Sequence, residues 1–138
     1  MDKNGKGLAI IFHSGSFDRI HHGLSIALTA SVLGRKVRLF FTYWALEYLR
    51  GGKLPILSLD KEGENHKSVI GNSIEKGHMQ KISDVLSQTK QMGAKLYTCV
   101  SSMAVLNIAR DELIDEVDES TGIATFLTET EEDQILFI

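Results

Sequence analysis

The sequence predicts an α/β fold with three layers, α/β/α, in which about five mostly parallel strands lie between helices. Strand-length apolar runs recur along the chain, and they alternate with segments whose apolar residues follow helical spacing. The first run, residues 8–13, is apolar continuously rather than at alternate positions. Continuous apolarity indicates a strand buried on both faces, as in parallel sheets. The expected arrangement is flavodoxin-like.

The first three predicted elements form one strand–helix–strand unit. Residues 8–13 predict the first strand, and the pattern from Asp18 to Val32 predicts a helix that Asp18 caps and Gly34 ends. The second strand is predicted at 37–42. A helix of this length can join two parallel strands in a right-handed crossover.

The second half of the chain repeats this alternation after a short helix at 44–50 and an irregular segment. Residues 51–77 show no sustained period and exceed the roughly 12–15 residues at which structureless loops become unusual, so we expect a long loop or lid there, or else a connection without a role. The predicted elements that follow are a helix with an apolar stripe from Met79 to Met92, a strand at 95–99, a helix capped by Ser101 and Ser102, a short helical turn at 111–113, a brief strand at 116–118, a helix capped by Ser120 or Thr121, and a closing strand at 134–138.

Length and composition predict one domain over residues 1–138. The chain is 43% hydrophobic, and no linker rich in Pro, Gly or Ser divides it. Its apolar runs are far shorter than the roughly 20 residues that cross a bilayer, so we expect no integral membrane segment. The chain has a single Cys and does not open on a secretory leader, which favours a cytoplasmic location.

The charges are unevenly distributed along the chain. All 15 basic residues lie within residues 1–110, whereas residues 111–138 hold 10 acidic residues and no Lys or Arg. The acidic part also carries apolar residues and is expected to fold. Because the basic residues are dispersed rather than clustered with aromatic ones, we expect no nucleic-acid partner.

Candidate site residues follow the predicted strands, because ligands bind outside the carboxyl ends of parallel strands. Cys99 is the strongest nucleophile among them, and a thiol at the start of a helix is favoured as thiolate. The alternative is that Cys99 is a small buried apolar residue. The expected substrate-binding residues are Ser14, Gly15, Ser16, Asp18, Tyr43, Trp44, Ser101 and Ser102.

Several other chemistries lack their sequence patterns. A lone thiol cannot run an intramolecular dithiol cycle, but it can carry one sulfur atom or be oxidised and rescued by an external thiol. His13, His21 and His22 have no metal-ligand spacing with Cys99, so we expect no metal. The loop Ser14–Ser16 matches no nucleotide-binding motif, so we expect no cofactor.

Three stretches, residues 10–19, 37–46 and 95–103, resemble the DsrE/DsrF-like sulfur-relay family, and they are most similar to its single-domain branch. The resemblance implies the three-layer fold, homo-oligomers, and a cysteine that carries persulfide sulfur, here Cys99. It also implies sulfur donor and acceptor proteins, or small sulfur compounds, as partners. Ala104, Asn107 and Thr121 depart from the pattern of that branch, which leaves the donor undefined.

The leading hypothesis is therefore a sulfur carrier, or sulfurtransferase-like protein, that loads Cys99 and passes the sulfur to a partner thiol. Three alternatives stay open at this point. They are a non-catalytic small-molecule binding or regulatory module at the same strand ends, a one-cysteine peroxidase, and a structural subunit that docks through residues 51–77.

Overall fold

Five parallel strands form one sheet in a computed structural model that describes residues 5–52 and 57–138. The strands are β1 (Leu8–Phe12), β2 (Val37–Phe41), β3 (Lys95–Cys99), β4 (Glu119–Thr121) and β5 (Gln134–Phe137). Their order is β4-β3-β2-β1-β5. The predicted α/β class is confirmed, but the order is not the 2-1-3-4-5 of flavodoxin, because each of the first four strands adds to the same side of its predecessor.

Five α-helices connect or follow these strands in the described ranges. They are α1 (Phe17–Val32), α2 (Lys67–Glu75), α3 (Ile82–Gln91), α4 (Val100–Val105) and α5 (Ile123–Glu129), with 3-10 helices at Tyr43–Leu49, Glu64–His66 and Arg110–Glu112. None of the described helices has the length and apolar character needed to cross a membrane.

The alternation of side chains along the strands creates two different cores. Leu8, Ile10 and Phe12 point to one face of β1, where the helices α1 and α3 cover them in the larger core. Ala9 points to the opposite face and belongs to a smaller cluster that includes Phe126 of α5. The sheet therefore lies between an α1/α3 layer and a thinner layer on the α5 side.

The segment 51–77 is not without structure, contrary to the expectation from its irregular pattern. Helix α2 occupies residues 67–75 within it, preceded by a 3-10 turn at 64–66, while residues 53–56 lie outside the described residues. No residue of α2 is fully buried, and only Ile70 and Ile74 pack against the larger core. Two inward apolar residues are too few to produce a recognisable helical stripe.

Strand β4 and three helix caps also differ from the sequence expectations. The predicted strand at 116–118 lies instead at 119–121, because buried Val117 belongs to the loop before a largely polar edge strand. Helix α1 is capped by Ser16 rather than Asp18, and α5 by Gly122 rather than Ser120 or Thr121. Cys99 itself occupies the N-cap position of α4, so Ser101 and Ser102 lie inside that helix.

Asp118 fastens the loop before β4 to helix α3 and strand β3. Its carboxylate accepts a hydrogen bond from the Lys90 ammonium and another from the Leu96 N–H at 2.7 Å. Partial burial opposes ionisation, but these two donors and the charge of Lys90 together lower the pKa of Asp118 below its ordinary value. The ionised carboxylate is thus favoured by the folded state.

We therefore expect the free energy of unfolding to fall when the pH drops below about 4, the ordinary pKa of an Asp side chain. A carboxyl whose pKa is lowered by folding contributes stability above its unfolded pKa and loses that stability as the pH falls through its folded pKa. Urea unfolding between pH 6 and pH 3, taken as roughly the range that brackets this titration, measures the effect. In Asp118→Asn this part of the slope should disappear, and an unchanged slope would contradict the assignment.

Candidate functional site

A cavity of about 1020 Å³ opens at the carboxyl ends of β1 and β2. It lies between the first turns of α1 and α3 and the 3-10 helix at 43–49, and residues 58–60 and Ile74 of α2 close other sides. This is the end of a parallel sheet at which ligands are usually bound. The cavity is therefore the first candidate for a binding site.

Residues 58–60 are fastened over this cavity by the start of α1. The Phe17 N–H donates to the Ser58 carbonyl, and the Asp60 N–H donates to the Ser16 hydroxyl at 3.0 Å. Arg19 forms an ion pair with the Asp60 carboxylate. These contacts join residues about forty positions apart, so the segment after the undescribed residues 53–56 forms a wall of the cavity.

The floor of the cavity depends on close packing between the loop after β1 and the 3-10 helix. The Tyr48 hydroxyl donates to the Gly15 carbonyl at 2.7 Å, and burial, with a smaller effect from Asp18, raises the pKa of Tyr48 to about 12. A Cβ atom at Gly15 would lie 2.9 Å from the Trp44 Cβ, so glycine permits this approach. Tyr43 takes up a left-handed backbone conformation with φ of 45° at the turn.

Cys99 lies elsewhere, in the smaller core on the α5 side of the sheet. It is only 1% exposed and clusters with Ala9, Phe40, Tyr97 and Phe126. The residue ends β3, pairs with Thr121 of β4, and begins α4, a helix of six residues. The thiol is thus at a strand end, as the sequence predicted, but it is covered in the folded chain and does not line the cavity.

Helix α5 contributes Phe126 to the cluster that buries Cys99. Phe126 is fully buried, stacks on Phe40 with ring centroids 4.4 Å apart, and meets the Tyr97 ring edge-on at 5.3 Å. The Tyr97 hydroxyl donates to the Glu129 carboxylate at 2.8 Å at the far end of the helix. The Phe126 ring and the Tyr97–Glu129 hydrogen bond therefore both attach this two-turn helix to the cluster that contains the thiol.

The structure brings together only some of the residues predicted to form the site. Ser14, Gly15, Ser16 and Trp44 line the cavity. Asp18 accepts a hydrogen bond from Ser16 in the first turn of α1 but faces a separate, smaller groove. Tyr43 does not line the cavity but packs on His13, which does, with ring centroids 4.9 Å apart. Ser101 is exposed and Ser102 is buried in α4, and neither lines the cavity.

The cavity also contains residues that the sequence interpretation did not single out. Tyr48, Arg50, Ile82 and Leu86 reach it from the 3-10 helix and from α3. Nothing local identifies them, because the Tyr48 bond to Gly15 spans 33 positions and the α3 residues look like ordinary core residues. In the described parts of the chain, no three His, Cys, Asp or Glu side chains are grouped so that they could hold a metal ion.

Comparison with known proteins supports the family resemblance seen in the sequence. The sequence model of the DsrE/DsrF/DrsH-like family matches residues 4–66 and 51–138. The chain belongs to this family. The resemblance seen in residues 10–19, 37–46 and 95–103 is therefore confirmed, and family membership suggests a role in sulfur relay.

One relative and two solved structures are similar to this chain over nearly its whole length. The uncharacterized protein YrkE of Bacillus subtilis strain 168 is 26% identical over an alignment of 161 positions, gaps included, which spans 100% of both chains. The ychN protein from E. coli has 16% identity and a TM-score of 0.66, covering 97% of this chain and 100% of its own. The protein of unknown function BT1422 from Bacteroides thetaiotaomicron has 12% identity and a TM-score of 0.63, with 100% and 99% coverage. At such low identity the two structures show a shared fold.

Proposed function

We propose that this protein is a sulfur carrier, of sulfurtransferase type, in which Cys99 accepts sulfane sulfur as a persulfide and passes it to a partner thiol. The observation that carries the proposal is the position of Cys99, the only cysteine of the chain, at the carboxyl end of an interior strand of a sulfur-relay family fold. A lone thiol suits the transfer of a single atom, and an unpaired cysteine suits a reducing compartment, so we place the carrier in the cytoplasm.

The transfer needs no oxidant or cofactor. The Cys99 thiolate attacks the outer sulfur of a donor persulfide, R–S–SH, and forms a new S–S bond as the donor S–S bond breaks. The donor leaves as the thiolate R–S⁻ with the bonding electron pair, and the transferred sulfur keeps its proton. An acceptor thiolate then attacks the outer sulfur on Cys99 in the same way, which regenerates the Cys99 thiolate.

Because Cys99 is covered, both steps require helix α5 to move away from the sheet. A helix of seven residues, held mainly by Phe126 and by the Tyr97–Glu129 bond, is a small unit that can open without global unfolding. We infer that donor and acceptor gain access to the thiol through this local opening. Burial between encounters would protect the persulfide from water and from other thiols.

Sulfur loading provides the direct test of the proposal. We expect intact mass spectrometry to find one added sulfur atom on the wild-type chain after incubation with glutathione persulfide and removal of the donor. Cys99→Ser should gain no sulfur, and a reductant should remove the sulfur from the wild type. Absence of any sulfur adduct on the wild type would refute the carrier function, and rapid Cys99-dependent consumption of peroxide without sulfur transfer would favour a peroxidase.

We also propose that two copies of the chain associate through the α5 side of the β5 edge. Ile135 and Phe137 point to this side and are 43% and 69% exposed, and Ile123 and Leu127 of α5 add further exposed apolar surface. Among the strands of the described residues β5 pairs with β1 alone, so it is an edge strand, for which an exposed apolar face favours association. A second copy offers the same apolar surface in return.

Introducing a charge at this edge should weaken self-association. We expect Ile135→Glu to lower the association constant by at least about tenfold, because the interface would have to bury an unpaired carboxylate. Sedimentation equilibrium of the variant measures the change. Val32→Glu, at an equally apolar and 64% exposed position on α1, is the matched control. A monomeric wild type, or equal effects of both substitutions, would contradict this interface.

A further inference from the structure

The cavity at the ends of β1 and β2 is separate from the thiol chemistry. Its volume of about 1020 Å³ is at the upper end of the roughly 300–1,000 Å³ of typical small-molecule sites. Cys99 lies in the smaller core and is not among the residues that line the cavity. A molecule held there is therefore bound without covalent attachment to the sulfur carrier residue.

The charged groups of the cavity largely neutralise one another. Arg19 pairs with Asp60, and Arg50 pairs with Glu47 at 3.1 Å. The other acidic and basic side chains among the described residues of the lining, Lys81 and Glu116, are both exposed and of opposite sign. An uncharged ligand leaves these ion pairs intact, whereas burial of a ligand charge against the apolar part of the lining would be costly.

The walls offer apolar and aromatic surface. Trp44 lines the cavity and is 52% exposed, Tyr48 faces it with its hydroxyl already bonded to Gly15, and Ile74, Ile82 and Leu86 form the aliphatic side. Flat aromatic molecules gain from stacking on such rings as well as from burial of apolar area. A few serine hydroxyls supply the polar contacts.

We propose that this cavity binds an uncharged, largely aromatic small molecule, which stacks on Trp44 and contacts the aliphatic wall formed by α2 and α3. The site is independent of sulfur transfer at Cys99. A bound molecule would contact both the segment 58–60 and the start of α1, because residues of both line the cavity and are joined there by hydrogen bonds.

Trp44 is the only tryptophan of the chain, so its fluorescence reports on this cavity directly. The probe is N-phenyl-naphthylamine, an uncharged aromatic amine that accepts energy from tryptophan. Its sulfonated analogue, anilinonaphthalene sulfonate, is the matched anionic probe. We expect saturable energy transfer from Trp44 to the neutral probe, and an affinity at least about tenfold higher than that of the sulfonate.

Substitutions locate the bound probe. Ile74→Glu places a carboxylate on the cavity wall and should weaken binding of the neutral probe by about tenfold or more, and Ile114→Glu is a second wall variant in case the first fails to fold. Ile123→Glu, on the exposed apolar side of α5, is the control and should leave the affinity unchanged. Absence of energy transfer, equal binding of the sulfonate, or weakening by Ile123→Glu with no effect of a folded wall variant would overturn the proposal.

Discussion

Phe126→Ala is expected to increase the alkylation rate of native Cys99 by roughly 100-fold and to lower the free energy of unfolding by about 3–5 kcal/mol. Phe126 is fully buried and provides the aromatic contacts of α5 with Phe40 and Tyr97. Without its ring, the helix loses most of what holds it against the sheet. The opening that exposes Cys99 then becomes more frequent, since each 1.4 kcal/mol changes its equilibrium constant about tenfold. Iodoacetamide labelling followed by mass spectrometry measures the rate.

A substitution on the other side of the sheet distinguishes local opening from global unfolding. Leu86 of α3 is 2% exposed in the larger core, and Leu86→Ala should cost about 2–5 kcal/mol, comparable to the loss in Phe126→Ala. If Cys99 is reached by movement of α5, labelling in Leu86→Ala should remain close to the wild-type rate. Equal acceleration in both variants would mean that the thiol reacts only in the unfolded chain, which contradicts the proposed route.

Asp133→Ala is expected to cost about 3 kcal/mol of stability. Asp133 precedes β5 and accepts a hydrogen bond at 2.8 Å from the Arg38 guanidinium of β2, where the two side chains are only 9% and 20% exposed. Removing the carboxylate leaves a mostly buried guanidinium without this partner, and it also releases the anchor at the start of the edge strand. Denaturant unfolding measures the loss.

The double substitution Arg38→Met with Asp133→Ala separates the two contributions. Replacing both charged groups removes the unpaired charge, so this chain should be more stable than Asp133→Ala alone. The difference in free energy of unfolding that remains between the double variant and the wild type measures how much the Asp133 contact stabilises the start of β5. A cost below about 1 kcal/mol for Asp133→Ala would show that water solvates Arg38 well enough to make the pair dispensable.

The local sequence predicted those strands and helices whose apolar residues follow a sustained pattern. The continuous run at 8–13 indicated a strand buried on both faces, and the side chains of β1 indeed enter the buried clusters on both sides of the sheet. The stripe within 79–92 gave α3, although the helix begins three residues later, at Ile82. Helix α2 was not predicted because it buries no residue fully. Strand β4 was predicted three residues too early because it is a polar edge strand whose position depends on pairing with β3.

Part of the candidate site could also be predicted, because the carboxyl ends of neighbouring parallel strands meet at one edge of the sheet. Strand order alone places Ser14–Ser16 and Trp44 at one end of the sheet, so their meeting in the cavity follows from the topology. The location of Cys99 on the opposite face follows from its register, since it lies two residues after Tyr97 on the same side of β3. Its burial depends on Phe126, 27 positions later, and no local pattern encodes that contact.

Sulfur transfer through Cys99 can be measured in a single-turnover experiment. Wild-type chain loaded with isotopically labelled sulfane sulfur, and freed of the donor, is mixed with an excess of a small acceptor thiol under native conditions. We expect the label to leave Cys99 and to appear as acceptor persulfide in equal amount, faster in Phe126→Ala than in the wild type. Label that stays on the folded chain in both proteins, or that never attaches to Cys99, would contradict it.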